Sequence, residues 1–174
     1  MAKTVYDDMA PKDIRAEARV LAEEVLTAEW NGDLPVDPIS IATSMGVEVF
    51  TAQLGSDVYG LIQGTPSRAR IYLDVDQGPE RLRFTCAHEL GHFIERSSRL
   101  VENESEYAEI DRRSDDGAGK GIEVFANEFA AAILMPEKLV KKLHDDGMNR
   151  FDMAKYFKVS AMAMGWRLTH LGLV

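Results

Sequence analysis

Two histidines four residues apart, His88 and His92, with Glu89 directly after the first, stand in the run RFTCAHELGHFIERSS, residues 83–98. On an α-helix, positions four apart differ by about 40° around the axis, so both imidazoles leave one face a turn apart, a spacing that one metal ion bridges with two ring nitrogens. Glu89 lies about 100° round from His88, where its carboxylate reaches a water on that ion without taking a coordination position. The residues therefore predict hydrolysis. A metal ion would polarise a carbonyl and Glu89 would act as general base. Two imidazoles and a carboxylate suit Zn2+, and Mn2+ or Fe2+ would accept the same donors. The plainer reading, two half-buried helix histidines with ordinary partners, sits less well with Gly91. Glycine inside a helix costs about 1 kcal/mol relative to alanine, and it fits where something approaches the backbone closely. Cys86 falls about 200° from His88 and reads as a core residue.

A catalytic zinc needs three protein ligands and an open position, so a third donor must come from elsewhere. A metzincin would carry Gly and then His at the third and sixth positions after the second histidine; here those positions are Glu95 and Ser98. Peptide deformylases take an upstream cysteine, whereas Cys86 is the only cysteine and lies on the same helix. The remaining common solution is a glutamate on a second helix, and GIEVFANEFAAAILMP offers Glu123 and Glu128. These differ by about 140° around a helix, so they cannot both face one ion. Glu123 is the expected ligand, because Asn127 one turn on would accept a hydrogen bond from a ligand histidine and fix its tautomer. Ala126, Ala131 and Ala132 keep the neighbouring surface thin enough for two helices to pack closely.

These groups need a scaffold. PKDIRAEARVLAEEVLTAE (11–29) is an amphipathic helix with Ile14, Ala18, Leu21, Val25 and Leu26 on one stripe. ISIATSMG reads as a short helix closed by Gly46. VEVFTAQ, VYGLIQG and ARIYLDV read as three strands of a small antiparallel sheet, and either of the last two could lend an edge to a substrate strand. The helix with the two histidines should run from about Pro79 to Arg96. The polar stretch from Ser97 to Gly121 reads as loop. Beyond Pro136 the pattern predicts three more short helices, with Ser160 as an N-cap and Gly172 as a stop. In the last two, Phe151, Ala154, Phe157, Val159, Met162, Trp166 and Leu168 suit core packing. The expectation is one domain over 1–174, with a helical segment 137–174 packed on it.

Composition narrows the function. The chain has 174 residues, 45% hydrophobic and 28% charged, with a formal charge of −9. Its start has no apolar core of a signal peptide, and no run approaches a membrane span, so a cytoplasmic location is expected. A lone cysteine agrees with a reducing compartment. The acidic charge disfavours direct nucleic-acid binding. Residues 136–174, with 7 basic against 4 acidic side chains, are only mildly basic. Oxyanion stabilisation would need one more donor, with Tyr59, Tyr72, Arg83, His144 and His170 as candidates.

LPVDPISIATSMGVEVF, ERLRFTCAHELGHFI, EVFANEFAAAILMP and VSAMAMGWRL, in this order, resemble the ImmA/IrrE family of metallopeptidases, over nearly everything from Ile14 to Leu171. The resemblance implies an α+β, zincin-like core of gluzincin-like type, in which the helix with His88 and His92 packs beside a small sheet and the helix with Glu123. It also implies an intracellular protein whose relatives cleave or otherwise relieve a helix-turn-helix repressor, with the partner encoded nearby. The alternative is a binding module that keeps this fold but works by docking, as an antirepressor or as half of a toxin–antitoxin pair.

Overall fold

The computed structural model describes residues 5–65, 67–98, 106–112 and 121–174, with residue 7 described only in its backbone. A short 3-10 helix, Val5–Asp8, precedes α1 (Pro11–Glu29), α2 (Pro38–Ser44), β1 (Glu48–Ala52), β2 (Val58–Thr65), β3 (Arg68–Asp74), α3 (Pro79–Ser98), β4 (Tyr107–Arg112), α4 (Gly121–Leu134), α5 (Glu137–Asp145), α6 (Arg150–Phe157) and α7 (Ala161–His170). The α+β class and the order of elements agree with the sequence. Local signals set many of the ends. Pro11 starts α1, Asp37 accepts a hydrogen bond from the Ile39 amide at the start of α2, and Ser160 accepts one from the Ala163 amide at the start of α7. Gly46 and Gly172 follow their helices with φ of 79° and 70°, a conformation that glycine adopts freely.

The sheet differs from expectation in two ways. Among the described residues it has four strands in the order β1-β3-β2-β4, and β1 runs parallel to β3 while the other pairs are antiparallel. Period-two patterning says which residues share a face, not which strand lies next door. The added strand, β4, falls inside the stretch read as loop; the rest of that stretch, apart from Ser97, Ser98, Glu106 and Gly121, lies outside the described residues. Tyr107, Glu109 and Asp111 of β4 turn inward, while Ala108, Ile110 and Arg112 are exposed. The alternation is present but its polarity is inverted, with acidic side chains inside, so an apolar-in pattern could not reveal it.

Helix α3 is sandwiched. One side meets the sheet through Ile62, Ile71 and Leu73, all fully buried; another meets α4, and α1 backs α4 through Ile14, Ala18 and Ala22. The continuous core reaches from Tyr6 to Leu168. Its C-terminal part corrects the sequence reading: Ala154, Phe157, Val159 and Leu168 are buried, but Phe151, Met162 and Trp166 are exposed. Helix α7 carries two apolar stripes. Only the one with Met164 and Leu168 faces the core.

Candidate metal centre

Helix α3 is unusual in burying its charged middle: His88, Glu89 and His92 are 4%, 1% and 2% exposed. The two imidazoles meet through Nε2 atoms 3.1 Å apart. Glu123, in the first turn of α4, brings Oε2 to 3.4 Å from Nε2 of His88 and Oε1 to 3.5 Å from Nε2 of His92. What brings α4 this close is visible at Gly91. A β-carbon there would stand 3.1 Å from Cα of Ala126 and 3.2 Å from the Phe129 ring. The approach that explains this glycine is therefore a neighbouring helix.

The outer ring nitrogens decide what the inner ones can do. Nδ1 of His88 lies 3.0 Å from Oδ1 of Asn127, to which it donates, and Nδ1 of His92 lies 2.9 Å from Oε2 of Glu109, as an ion-pair contact without the alignment of a good hydrogen bond. Both outer nitrogens thus hold protons, and the two Nε2 lone pairs face each other and a carboxylate. Either a proton or a metal cation must lie between them. The two Nε2 atoms stand 3.1 Å apart and each has its own oxygen of Glu123 at 3.4 or 3.5 Å, while tetrahedral zinc with bonds of about 2.0–2.1 Å spaces its donors about 3.3–3.4 Å apart. The donor set fits the ion. His88, His92 and Glu123 group as possible metal donors, as do His88, Glu89 and Asp111.

Glu89 stands beside this cluster with both carboxylate oxygens buried and no hydrogen-bond partner among the described residues. Burial pushes its pKa up to about 7, against the opposing pull of His92 and His88. Gly60 of β2 keeps the space above it open: a β-carbon there would meet Thr85 at 2.6 Å and Oε1 of Glu89 at 3.4 Å. The β2–β4 register also shifts between Val58 and Gly60, leaving Tyr59 on a bulge. Gln77 holds this bulge by donating to the Tyr59 carbonyl at 3.0 Å while accepting from Thr85 at 3.0 Å.

Sequence reasoning missed the contribution of β4. Glu109 pairs with both His92 and Arg96, and Arg96 also lies 4.2 Å over the Tyr107 ring. Burial opposes ionisation of Glu109, but His92 and Arg96 outweigh it and hold its pKa down to about 2. Burial likewise opposes protonation of His92, yet Glu109 and Glu89 lift it to about 9. Asp111 pairs with Arg81 at 3.6 Å, and Arg81 covers the Tyr59 ring at 3.8 Å. The signal in YAEIDR was its alternation, with two carboxylates on one face.

Other candidates are placed elsewhere. Glu128 is buried away from the histidines, accepting from Arg19 at 3.0 Å, Arg167 at 3.3 Å and His170 at 2.7 Å. Cys86 is fully buried, and burial pushes its thiol up to about 12. Of the oxyanion candidates, Tyr59 and His170 line the cavity that contains His88 and Glu123. Arg83 is committed to the Val36 and Phe157 carbonyls, Tyr72 stacks on Phe50, and His144 pairs with Asp145. The strands proposed as substrate edges, β2 and β3, are both interior; among the described residues β1 and β4 form the edges, and β4 adjoins His92 through Glu109.

Residues 42–169 match the IrrE N-terminal-like domain family. The chain is also similar to the radiation response metalloprotease IrrE of Deinococcus radiodurans, with 33% identity over 109 residues, 60% of this chain and 32% of that protein. The match spans about a third of the relative's length. No helix among the described residues is long and apolar enough to cross a membrane.

Proposed function

The chain belongs to the IrrE N-terminal-like domain family, and on that premise we propose that it is a metal-dependent endopeptidase in which His88, His92 and Glu123 hold the ion and Glu89 is the general base. One observation carries the reading: two Nε2 atoms and a carboxylate converge within 3.5 Å of one another beside a buried, unpartnered glutamate. Zinc bound there would polarise the scissile carbonyl and lower the pKa of its water towards about 7. Glu89 takes the proton of the attacking water and passes it to the leaving amine, and its raised pKa suits both transfers near neutrality. Asn127 and Glu109 hold the outer imidazole protons, so that Nε2 of each histidine stays a donor. The outer edge of β4 would hold the substrate as an added strand.

The substrate is a protein, and the resemblance noted from the sequence makes a helix-turn-helix repressor encoded nearby, acting in the cytoplasm, the partner of first choice. The decisive variant is Glu89→Gln, which keeps shape and metal but removes the proton acceptor. It should bind zinc and partner normally and cut at least about a hundredfold more slowly. Co-expression with the neighbouring repressor, read by fragments on a gel and by a reporter, provides the assay. If Glu89→Gln relieves repression as well as the unmodified chain does, docking without cleavage replaces this reading.

A further inference from the structure

Helix α7 turns a stripe of Met162, Trp166 and His170, spaced four apart, away from the core, and Met162 and Trp166 are 73% and 61% exposed. These three side chains line the same cavity, about 850 Å³, that His88, Glu123 and Asn127 line at its other end. Helix α4 also lines it, through Val124 and Ala131 as well as Glu123 and Asn127. Single exposed apolar residues are ordinary on a protein surface. Two large ones in register on the wall of a cavity continuous with the metal donors are a patch that an apolar partner would cover.

His170, at one end of the stripe, is anchored. His170 donates from Nδ1 to Glu128 at 2.7 Å, and Glu128, 3% exposed, is clamped by Arg19 and by Arg167, which also donates to the Met135 carbonyl at 3.1 Å. Glu128 is on α4, five residues from Glu123, so one helix fixes both the donor cluster and the wall. The bracing leaves His170, at that end of the subsite, little side-chain freedom to lose on binding.

Charge selects the occupant further. Arg15 of α1 lines this cavity, and among the described residues it has no ion-pair partner. At the far end Arg167 and Arg19 are paired with Glu128, which also accepts from His170. Four carboxylates and four arginines line the cavity, so its charge is mixed, and of the four arginines Arg15 alone has no ion-pair partner among the described residues.

The geometry points to a specificity subsite: the groove between Arg15 and the Met162–Trp166–His170 stripe takes a segment of the peptide substrate that carries a large apolar side chain, seated on Trp166 and Met162, next to an acidic one that meets Arg15. This assignment rests on the peptidase reading above, since it is the continuity with the donor cluster that makes the occupant a substrate.

The test uses zinc-loaded full-length Glu89→Gln protein, probed on an array of random-sequence peptides, with the unmodified chain incubated with the same peptides and fragments read by mass spectrometry. Retained peptides should be enriched in Trp, Phe, Leu or Met next to Asp or Glu. Adding Trp166→Ala should weaken their binding at least tenfold, and adding Arg15→Glu should turn the preference from acidic to basic neighbours, both at unchanged zinc content. Trp166 and Arg15 lie at the surface, and zinc content reports whether each variant is folded. Retention of the same peptides by all three proteins, or of none by the Glu89→Gln protein, overturns the subsite. If the unmodified chain cleaves peptides and neither change alters the preference, the subsite falls while the peptidase stands. If retention follows the prediction and no peptide is cut, the surface stands and the peptidase falls.

Discussion

Helix α4 carries two glutamates five residues apart, and the structure treats them in opposite ways. Glu128 is saturated: two guanidiniums and an imidazole surround it in the interior. Glu123, about a quarter exposed at its side chain, faces two imidazole nitrogens whose outer protons are already committed. A carboxylate matched by permanent cations has no need of a metal. One matched only by imidazoles is balanced by an exchangeable cation, either the proton that lies between the two Nε2 atoms or a metal ion in its place. The comparison shows that the cationic partners of a glutamate, more than its burial, mark it as structural or as available for chemistry.

Replacing each glutamate by alanine should break this contrast open. Glu128→Ala strands Arg167, which is 1% exposed, without its carboxylate, and should cost about 3–5 kcal/mol of folding stability while the folded fraction still binds about one zinc. Glu123→Ala should do the reverse, losing most of the zinc with a much smaller stability cost. Denaturant unfolding and metal analysis on both proteins measure it; zinc loss in Glu128→Ala with zinc retained in Glu123→Ala would mean that the roles are exchanged.

A smaller effect concerns the neighbour that sequence reasoning overlooked. Glu109→Ala removes the group that holds the outer proton of His92 and should weaken zinc binding about 10–100-fold without abolishing it, as seen in competition with a chelator. An unchanged affinity would reduce Glu109 to a surface partner of Arg96. Gly91→Ala tests how closely α3 and α4 must approach. Its added carbon meets Ala126 backbone, which cannot rotate away, so it should cost about 1–3 kcal/mol and loosen the triad that Glu123 completes. A stability equal to that of the original chain would show that the helices separate freely.

The gentlest probe is pH, applied to the metal-free chain. The folded pKa of Glu89 is raised from 4.5 to about 7, and that of His92 from 6.5 to about 9, so the folded state binds protons more tightly than the unfolded chain in both windows. Stability should therefore fall as pH rises from about 4.5 to about 9. Zinc displaces the proton shared by the histidines, so the stabilisation added by zinc should grow over the same range. Parallel thermal scans with and without zinc would sink this expectation if both curves moved together.

Much of this centre was legible along the chain because it depends on angles within single helices. The spacing of His88 and His92 places both on one face, the 140° between Glu123 and Glu128 allows only one to join them, and Asn127 falls where it reaches a ring nitrogen. Helix ends at Gly46, Ser160 and Gly172 were equally local, since a cap is a contact between residues two to four apart. Three things were decided only in three dimensions. Strand β4 exists because β2 offers it an edge and because its inward carboxylates find His92 and Arg81, partners that no period-two pattern contains. The place of β1 beside β3, parallel, depends on the chain's route between them. And Trp166 and Met162 are apolar at helical spacing whether they meet a core or a groove; periodicity tells which residues share a face, and only the packing of α7 on α4 decides what that face meets.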